Sequence, residues 1–224
     1  MTKLFDCTDE QEREEGLTAA KDALGRRECI VLPTDTVYGV GADAFSAQAV
    51  ATLLAAKGRN RQMPPPVLIG NFNVLPALAA DIHTDAIELT ERFWPGALTL
   101  IFKAQPSLNW DLGDTHGTVG LRIPDDEFAR QLLSTTGPLA VSSANRHGQP
   151  PAATATAAQE QLAAAVSVYL DDGPRLQDTA ETPVVSTIVD CTSVPFHVLR
   201  QGSITLEQLQ EVVPDIVGVG AEQD

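Results

Sequence analysis

The stretch CIVLPTDTVYGVGADA, residues 29–44, decides the fold class predicted for this chain. Its apolar start, Cys29–Pro33, is typical of a short buried strand that a proline brings to an end. A helix is predicted to follow, because Ser46 can cap a run of helix-forming residues that stops at Gly58. A buried strand that leads into a helix is the repeating unit of an α/β protein.

Elements of the same two kinds alternate along the rest of the chain. Further strands are predicted at Val67–Gly70, Leu98–Phe102, Val119–Ile123, Leu139–Val141, Val166–Leu170, Val184–Val189 and His197–Leu199. Further helices are predicted from a capping box at Thr8–Gln11 to about Arg27, and at Thr84–Phe93, Glu127–Leu133, Ala157–Ala165 and Thr205–Val213. The alternation predicts an α/β sheet covered by helices on both faces. Residues 1–217 are expected to form one domain, followed by a frayed acidic tail over residues 218–224.

Gly39 and Gly41 stand between the first strand and the helix, where a dinucleotide-binding fingerprint would place its glycines. The third position of that fingerprint holds Ala44, and no acidic residue follows the next predicted strand. The alternative is a tight turn before Ser46, and the spacing favours it. The chain has no Walker A sequence, which excludes a P-loop.

Composition and charge narrow the class of protein. The 224 residues are 43% hydrophobic and 20% charged, which is ordinary for a globular protein. An acidic N-terminus, the lack of a long apolar run and three widely spaced cysteines predict a cytoplasmic protein with no membrane segment and no structural zinc site. The net charge of −15 opposes a main role in coating nucleic acid, so any phosphate ligand must meet a local basic cluster.

Three cations stand together where the predicted helix ends: Lys57, Arg59 and Arg61. Cations at a helix C-terminus complement the helix dipole by about 0.3–1 kcal/mol, so one interpretation is purely structural. The loop Met63–Pro66 that follows is stiffened by prolines, which lowers the entropy lost when the cations grip a phosphate. In a chain this acidic, the cluster favours a phosphate site.

Hydroxyl and amide side chains collect at the ends of two predicted strands. Thr34 and Thr36 follow the first strand, whereas Ser143 and Asn145 follow the strand Leu139–Val141. These residue types are common in turns and caps, which is the structural alternative. Ligands of open α/β sheets bind outside the carboxyl ends of strands, so these residues and the basic cluster together predict a nucleotide pocket.

Five motifs stand in a fixed order over most of the chain. They are PTDTVYGVGADA from Pro33, KGR from Lys57, SSAN from Ser142, VVSTIVD from Val184 and VLRQG from Val198. Their order and spacing resemble the YrdC-type threonylcarbamoyl-AMP synthases. The resemblance implies a twisted, mixed, open α/β sheet with a large concave cavity. It also implies an enzyme that forms threonylcarbamoyl-AMP and pyrophosphate from L-threonine, bicarbonate or carbon dioxide, and ATP, for the threonylcarbamoyladenosine modification of tRNA.

The resemblance also implies roles for individual residues. Those expected to contact L-threonine are Thr36, Arg122, Ser143 and Ser186, with Thr34 and Tyr38 as the neighbouring wall. Those expected to contact ATP are Lys57, Arg59, Thr118, Asn145 and Arg200, with Lys57 and Arg59 as catalytic cations on the phosphates and Arg61 as a further candidate. No residue is assigned to a metal, because Mg²⁺ is expected to be held mainly through the ATP phosphates.

Two alternatives stay open beside this interpretation. One is a YciO-like paralogue that keeps the fold and the pocket with different chemistry. The other is a non-enzymatic RNA-binding module, although the negative charge of the chain opposes it. If the chain is a synthase, its product is expected to pass to a tRNA-modifying transferase complex, with direct tRNA contact weak or absent.

Overall fold

The computed structural model describes residues 2–175 and 185–220, and eleven strands in these ranges form one sheet. The strands are β1 (Lys3–Asp6), β2 (Ile30–Leu32), β3 (Gly39–Asp43), β4 (Val67–Leu68), β5 (Ala79–Ala80), β6 (Leu98–Ala104), β7 (Thr118–Arg122), β8 (Leu139–Ser143), β9 (Val168–Asp171), β10 (Thr187–Asp190) and β11 (His197–Arg200). The α-helices are α1 (Glu10–Gly25), α2 (Ala47–Lys57), α3 (Leu75–Leu78), α4 (Thr84–Phe93), α5 (Glu127–Thr136), α6 (Ala155–Leu162) and α7 (Leu206–Gln210).

The sheet is mixed, as predicted. Its order is β1-β9-β2-β3-β8-β4-β7-β6-β10-β11, and β5 pairs with β6. Strand β9 is parallel to both β1 and β2, whereas β3 is antiparallel to both β2 and β8. None of the helices in the described residues is long and apolar enough to cross a membrane.

Helices cover both faces of the sheet, which confirms the fold class. In β2, Ile30 and Leu32 belong to a core with residues of α1 and α5, whereas Val31 belongs to a second core with residues of α2 and α6. Successive side chains of a strand point to opposite faces, so each face must bury its own layer. A third core packs α4 and α7 against the half of the sheet that contains β6, β7 and β10.

The tight turn predicted at Gly39 and Gly41 is wrong, because both glycines lie inside strand β3. A Cβ atom at Gly39 would lie 2.6 Å from Cγ1 of Val141 on the neighbouring strand. Glycine is therefore required here by the close approach of β8 rather than by a turn or a dinucleotide.

Several element boundaries also differ from the predictions. The predicted capping box at Thr8–Gln11 is wrong, because Asp9 is the N-cap of α1 and accepts a hydrogen bond from the Glu12 amide. The short edge strand β1 was not predicted, since its polar sequence carries no strand pattern. Thr154 caps α6, so this helix begins before the predicted residue. Val184 of the predicted strand Val184–Val189 and residues 221–224 of the predicted tail lie outside the described residues.

The helix before the basic cluster forms as predicted. Ser46 accepts a hydrogen bond from the Ala49 amide at the start of α2. Gly58 ends the helix in the left-handed conformation, with φ of 67°, which favours glycine.

Candidate active site

A cavity of about 240 Å³ lies over the middle of the sheet. Its walls include residues of β3, β8, β4, β7, β6, β10 and β11, which are consecutive in the sheet order. Strands lie about 4.8 Å apart, so seven strands laid flat would extend over about 29 Å. Their side chains can share one small cavity only because the sheet curls around it, as the predicted concave shape requires.

Arg122, at the end of β7, forms one wall of the cavity and is buried. Its Nε donates a hydrogen bond to the Gly96 carbonyl over 2.9 Å, and its Nη2 donates to Oδ1 of Asp35 over 2.6 Å. The Thr36 hydroxyl lies farther away, 3.4 Å from Nη1 and 3.5 Å from Nη2. Among the described residues, the contact that spans Nη1 and Nη2 is thus a long one, and this edge suits a planar anion such as a carboxylate.

Arg59 and Arg200 bring two more positive charges to the same cavity. The Nε atom of Arg59 is buried and has no hydrogen-bond partner among residues 2–175 and 185–220. Burial lowers the pKa of the Arg59 guanidinium, and burial together with repulsion from Arg122 and Arg59 lowers that of Arg200. Since buried polar groups are nearly always paired, the Arg59 guanidinium is suited to an anionic ligand.

Hydroxyl groups line the cavity between the arginines. Thr34 donates to the Val37 carbonyl over 2.6 Å and lies 3.1 Å from the Thr36 hydroxyl, so the turn after β2 is held by its own side chains. On the opposite side, Ser186 lies within 3.0 Å of Nη2 of Arg200. Ser143 also faces the cavity. The structure therefore brings these predicted residues to one place.

Lys57 does not line this cavity, although it was predicted to bind phosphate beside Arg59. Its side chain has no exposed surface, and its Nζ donates to the Asn145 carbonyl over 2.7 Å and to the Ser143 carbonyl. The Asn145 Oδ1 atom lies 3.2 Å from the same ammonium. Burial, and to a lesser degree the charge of Arg59, lowers the pKa of Lys57 to about 7. Lys57 thus stabilises the Ser142–Asn145 turn through its carbonyls and does not itself face the cavity.

Both polar atoms of the Asn145 side chain have hydrogen-bond partners within the protein. Its Nδ2 donates to the carbonyls of Arg146 and Gln149 over 2.9 and 2.7 Å, while its Oδ1 faces Lys57. It is buried and is not among the cavity-lining residues. In this structure Asn145, like Lys57, shapes the turn that presents Ser143.

Three other predicted residues lie outside the cavity. Arg61 is on the surface, where its guanidinium pairs with Asp111 over 2.8 Å and with Asp114 over 3.3 Å. Tyr38 is fully buried and donates to the Gly173 carbonyl over 2.6 Å. Thr118 lines a smaller cavity of about 120 Å³, which shares Pro64, Pro66, Thr99 and Ile188 with the central one.

Comparison with known proteins identifies the family. Residues 22–202 match the family model named Sua5_yciO_yrdC, which carries the description "Telomere recombination". The chain belongs to this family. A protein of Mycobacterium tuberculosis (strain ATCC 25618 / H37Rv), whose name places it provisionally among the threonylcarbamoyl-AMP synthases, is 48% identical over 213 residues, which are 95% of this chain and 96% of that protein.

Solved structures of the Sua5/YrdC family have the same fold. The crystal structure of Pyrococcus abyssi Sua5 complexed with L-threonine superposes with a TM-score of 0.82 and 30% identity, over 96% of this chain and 62% of that one. The crystal structure of E. coli YciO superposes with a TM-score of 0.79 over 93% of this chain and all of that one. Its identity of 20% shows a shared fold alone.

Sequence reasoning missed two residues of this Sua5/YrdC-type site, one that lines the cavity and one that pairs with a residue of its wall. Asp35 lies inside the PTDTVYG motif, but nothing in the motif shows that its carboxylate pairs with Arg122. Thr99 has no local signal at all, because it is one polar residue in the apolar strand β6. It lines the cavity, and its Oγ1 lies 3.1 Å from the Ser186 hydroxyl. Only the pairing of β6 with β10 brings these two hydroxyls together.

The charged groups around the cavity bear on metal binding. Within residues 2–175 and 185–220, no three His, Cys, Asp or Glu side chains cluster as metal ligands would. The described residues that line the cavity offer guanidinium and hydroxyl groups and no carboxylate. Such a set of groups suits anions rather than a directly coordinated cation.

Proposed function

We propose that this chain is a threonylcarbamoyl-AMP synthase, which joins L-threonine, bicarbonate or carbon dioxide, and ATP. The observation that carries the proposal is the grouping of Arg59, Arg122 and Arg200 around one cavity, with the buried Nε of Arg59 unpaired within the described part of the chain. Three cations in so small a volume repel one another, and this repulsion adds to the larger effect of burial in lowering the pKa of Arg200. Such an arrangement is expected where several anionic groups bind together. The names of close relatives agree with it.

L-Threonine is proposed to bind between the turn after β2 and the end of β7. Its carboxylate would meet the Nη1–Nη2 edge of Arg122 and displace the long contacts with Thr36. The hydroxyls of Thr36, Ser143 and Ser186 would bind the polar groups of the amino acid. Bidentate pairing with a guanidinium fixes the direction of the carboxylate as well as its position.

The phosphates of ATP are proposed to lie against Arg59 and Arg200. Both residues line the cavity, and the Arg59 Nε is a donor that no described residue engages. The adjoining smaller cavity, with apolar walls and Thr118 at its edge, would take part of the nucleotide beyond the phosphates. Lys57 would act indirectly, by holding the Ser142–Asn145 turn beside the phosphates.

The chemistry proposed for this site needs no covalent intermediate on the protein. The threonine amine adds to carbon dioxide and loses a proton, which gives a carbamate. A carbamate oxygen attacks the α-phosphorus of ATP, and the bond to the bridging oxygen breaks as pyrophosphate leaves. The arginines hold two anions close together and stabilise the charge on the leaving group. Mg²⁺ would be carried by the phosphates, because the described walls offer no carboxylate.

Transfer of the product to a tRNA-modifying complex is also a proposal. Threonylcarbamoyl-AMP is a mixed anhydride, so a second enzyme must use it before water does. The net charge of −15 opposes strong binding of tRNA by this chain alone. We therefore expect the tRNA to be bound by the accepting enzyme.

The test is pyrophosphate release from ATP in mixtures that lack one substrate at a time. We expect release only when L-threonine and bicarbonate are both present, with threonylcarbamoyl-AMP detected by mass spectrometry. ATP turnover that ignores threonine would contradict the proposal and favour a YciO-like paralogue with other chemistry. Salt-sensitive binding of tRNA without any ATP turnover would favour an RNA-binding module instead.

A further inference from the structure

We infer that Asp35 is a positioning residue, which turns the Arg122 guanidinium so that its Nη1–Nη2 edge faces a substrate carboxylate. The inference rests on the proposed function, since it names the group that prepares the threonine site. Asp35 pairs with Nη2 of Arg122 over 2.6 Å, and both side chains are largely buried, with 13% and 8% of their surfaces exposed.

The contacts of Arg122 define its orientation. Of its three nitrogen atoms, Nε is held by the Gly96 carbonyl and Nη2 by Asp35, at 2.9 and 2.6 Å. Nε and Nη2 form one edge of the planar guanidinium. Among the described residues, the adjacent edge between Nη1 and Nη2 meets the Thr36 hydroxyl alone as a contact to both nitrogens, at 3.4–3.5 Å. A guanidinium anchored on one edge in this way presents the other edge to a ligand.

Asp35 acts through Arg122 rather than on the ligand. Its neighbours Thr34 and Thr36 line the cavity, but Asp35 does not. The turn cannot easily swing the carboxylate round, because Thr34 accepts from the Thr36 amide over 3.3 Å and donates to the Val37 carbonyl. The motif thus places two hydroxyls on the cavity and one carboxylate behind the arginine.

Two effects of the Asp35 charge oppose each other. The carboxylate fixes the guanidinium, which favours binding of threonine, but it also repels the threonine carboxylate on the far side of the same group. A buried arginine that loses its partner can rotate, and it then loses one of the two bonds to the ligand. We expect orientation to dominate, because the hydrogen bonds are direct whereas the two carboxylates are separated by the guanidinium.

The experiment compares Asp35→Asn with Asp35→Ala. Asparagine keeps an oxygen that accepts from Nη2 and removes only the charge, whereas alanine removes both. We expect Asp35→Ala to raise KM for L-threonine at least 10-fold and Asp35→Asn about threefold, with KM for ATP changed less than twofold in both. Titration calorimetry with L-threonine alone should give the same order of affinities.

Asp126→Asn is the matched control. Asp126 is a carboxylate with 9% exposure that pairs with Arg175 over 2.9 Å, and Asp172 still holds Arg175 after the substitution. It removes the charge of a buried carboxylate that does not contact Arg122. Arg175 also donates to the Thr34 carbonyl over 3.1 Å, and Asp172 should keep it there, so KM for threonine should change less than twofold. Thermal melts of all variants show whether each is folded, and the asparagine variant keeps the side-chain shape if the alanine variant does not fold.

Two outcomes separate the inference from the proposed function. If the wild-type protein binds threonine and both Asp35 variants bind it as tightly or more tightly, repulsion dominates and the positioning role is overturned, while the synthase proposal stands. If the wild-type protein shows neither threonine binding nor threonine-dependent pyrophosphate release, the proposed function is overturned and the inference with it.

Discussion

Two sets of cations in this protein behave in opposite ways. Lys57, Arg59 and Arg61 are neighbours in the sequence, yet one is buried under a turn, one lines the cavity and one pairs with surface carboxylates. Arg122 and Arg200 are far apart in the sequence, yet they share one cavity. Residues that alternate along an irregular segment leave it in different directions, whereas strands that pair bring distant residues together. Closeness in sequence is therefore a poor guide to a shared site.

The largest effect is expected at Lys57. Replacing it by methionine in Lys57→Met removes the donor that the carbonyls of Ser143 and Asn145 share. The Ser143 carbonyl still accepts from the Asn145 amide, whereas the Asn145 carbonyl and Oδ1 lose the ammonium as their partner. We expect the free energy of unfolding to fall by about 3 kcal/mol. Urea denaturation followed by circular dichroism measures this change. The control is Lys103→Met, at an exposed lysine, which should have no measurable effect. Equal stability of the two variants would show that Lys57 does not hold the turn.

The second-largest effect is expected from the substitution of Arg59 or Arg200. We expect Arg59→Ala and Arg200→Ala each to lower kcat/KM for ATP about 30-fold, since each removes a cation from the phosphates, the equivalent of about 2 kcal/mol. Steady-state pyrophosphate release at saturating threonine measures it. Values within twofold of the wild type for both variants would mean that the cavity is not the phosphate site.

A third prediction concerns pH. The pKa of Lys57 falls from 10.5 to about 7 on folding, so between these values the unfolded chain binds the extra proton. Stability must then rise with pH over this window, by at most about 1.4 kcal/mol per pH unit from this group. Below about pH 7 both states are protonated, and the contribution is constant.

The pH effect is isolated by the difference between two proteins. The free energy of unfolding of the wild type minus that of Lys57→Met should increase from about pH 7 to about pH 9. Urea titrations at several pH values give this difference, in which the other titrating groups cancel. A flat difference would mean that the oxygens around Nζ keep the ammonium charged at these pH values.

The smallest effect is expected at Arg61. Its guanidinium is largely exposed and pairs with Asp111 and Asp114, away from the cavity. Arg61→Ala should leave kcat/KM for ATP within about twofold of the wild type, because exposed ion pairs contribute little. Compared with Arg59→Ala in the same assay, it tests whether two neighbouring arginines differ as the structure indicates. Equal losses in both would place Arg61 in the site after all.

Regular elements were predictable where periodicity and caps agree. Ser46 and Gly58 bound α2 as predicted, and α4 has the predicted ends, because local hydrogen bonds determine both. Strand β3 was not predictable from its glycines, since the close approach of Val141 that requires Gly39 is a contact with another strand. The cap of α1 moved to Asp9 because several polar residues compete there.

The sequence predicted which residues belong to the candidate site better than it predicted their arrangement. The family resemblance identified Thr36, Arg122, Ser143, Ser186 and Arg200, and these residues do line one cavity. The resemblance did not distinguish a lysine that faces the cavity from one that stabilises a neighbouring turn. A side chain of that length can reach either position from the end of a helix, and only the surrounding oxygens of Ser143 and Asn145 decide between them.

The sequence by itself determined the alternation of strands and helices, the family and the residue types of the site. These follow from local periodicity and from motifs that can be recognised by their order along the chain. The tertiary structure alone decided which charged groups meet: Asp35 behind Arg122, Thr99 beside Ser186, and Arg61 on the outer surface. The physical reason is that the curl of the sheet and the pairing of distant strands set these distances, and neither is encoded in any one segment.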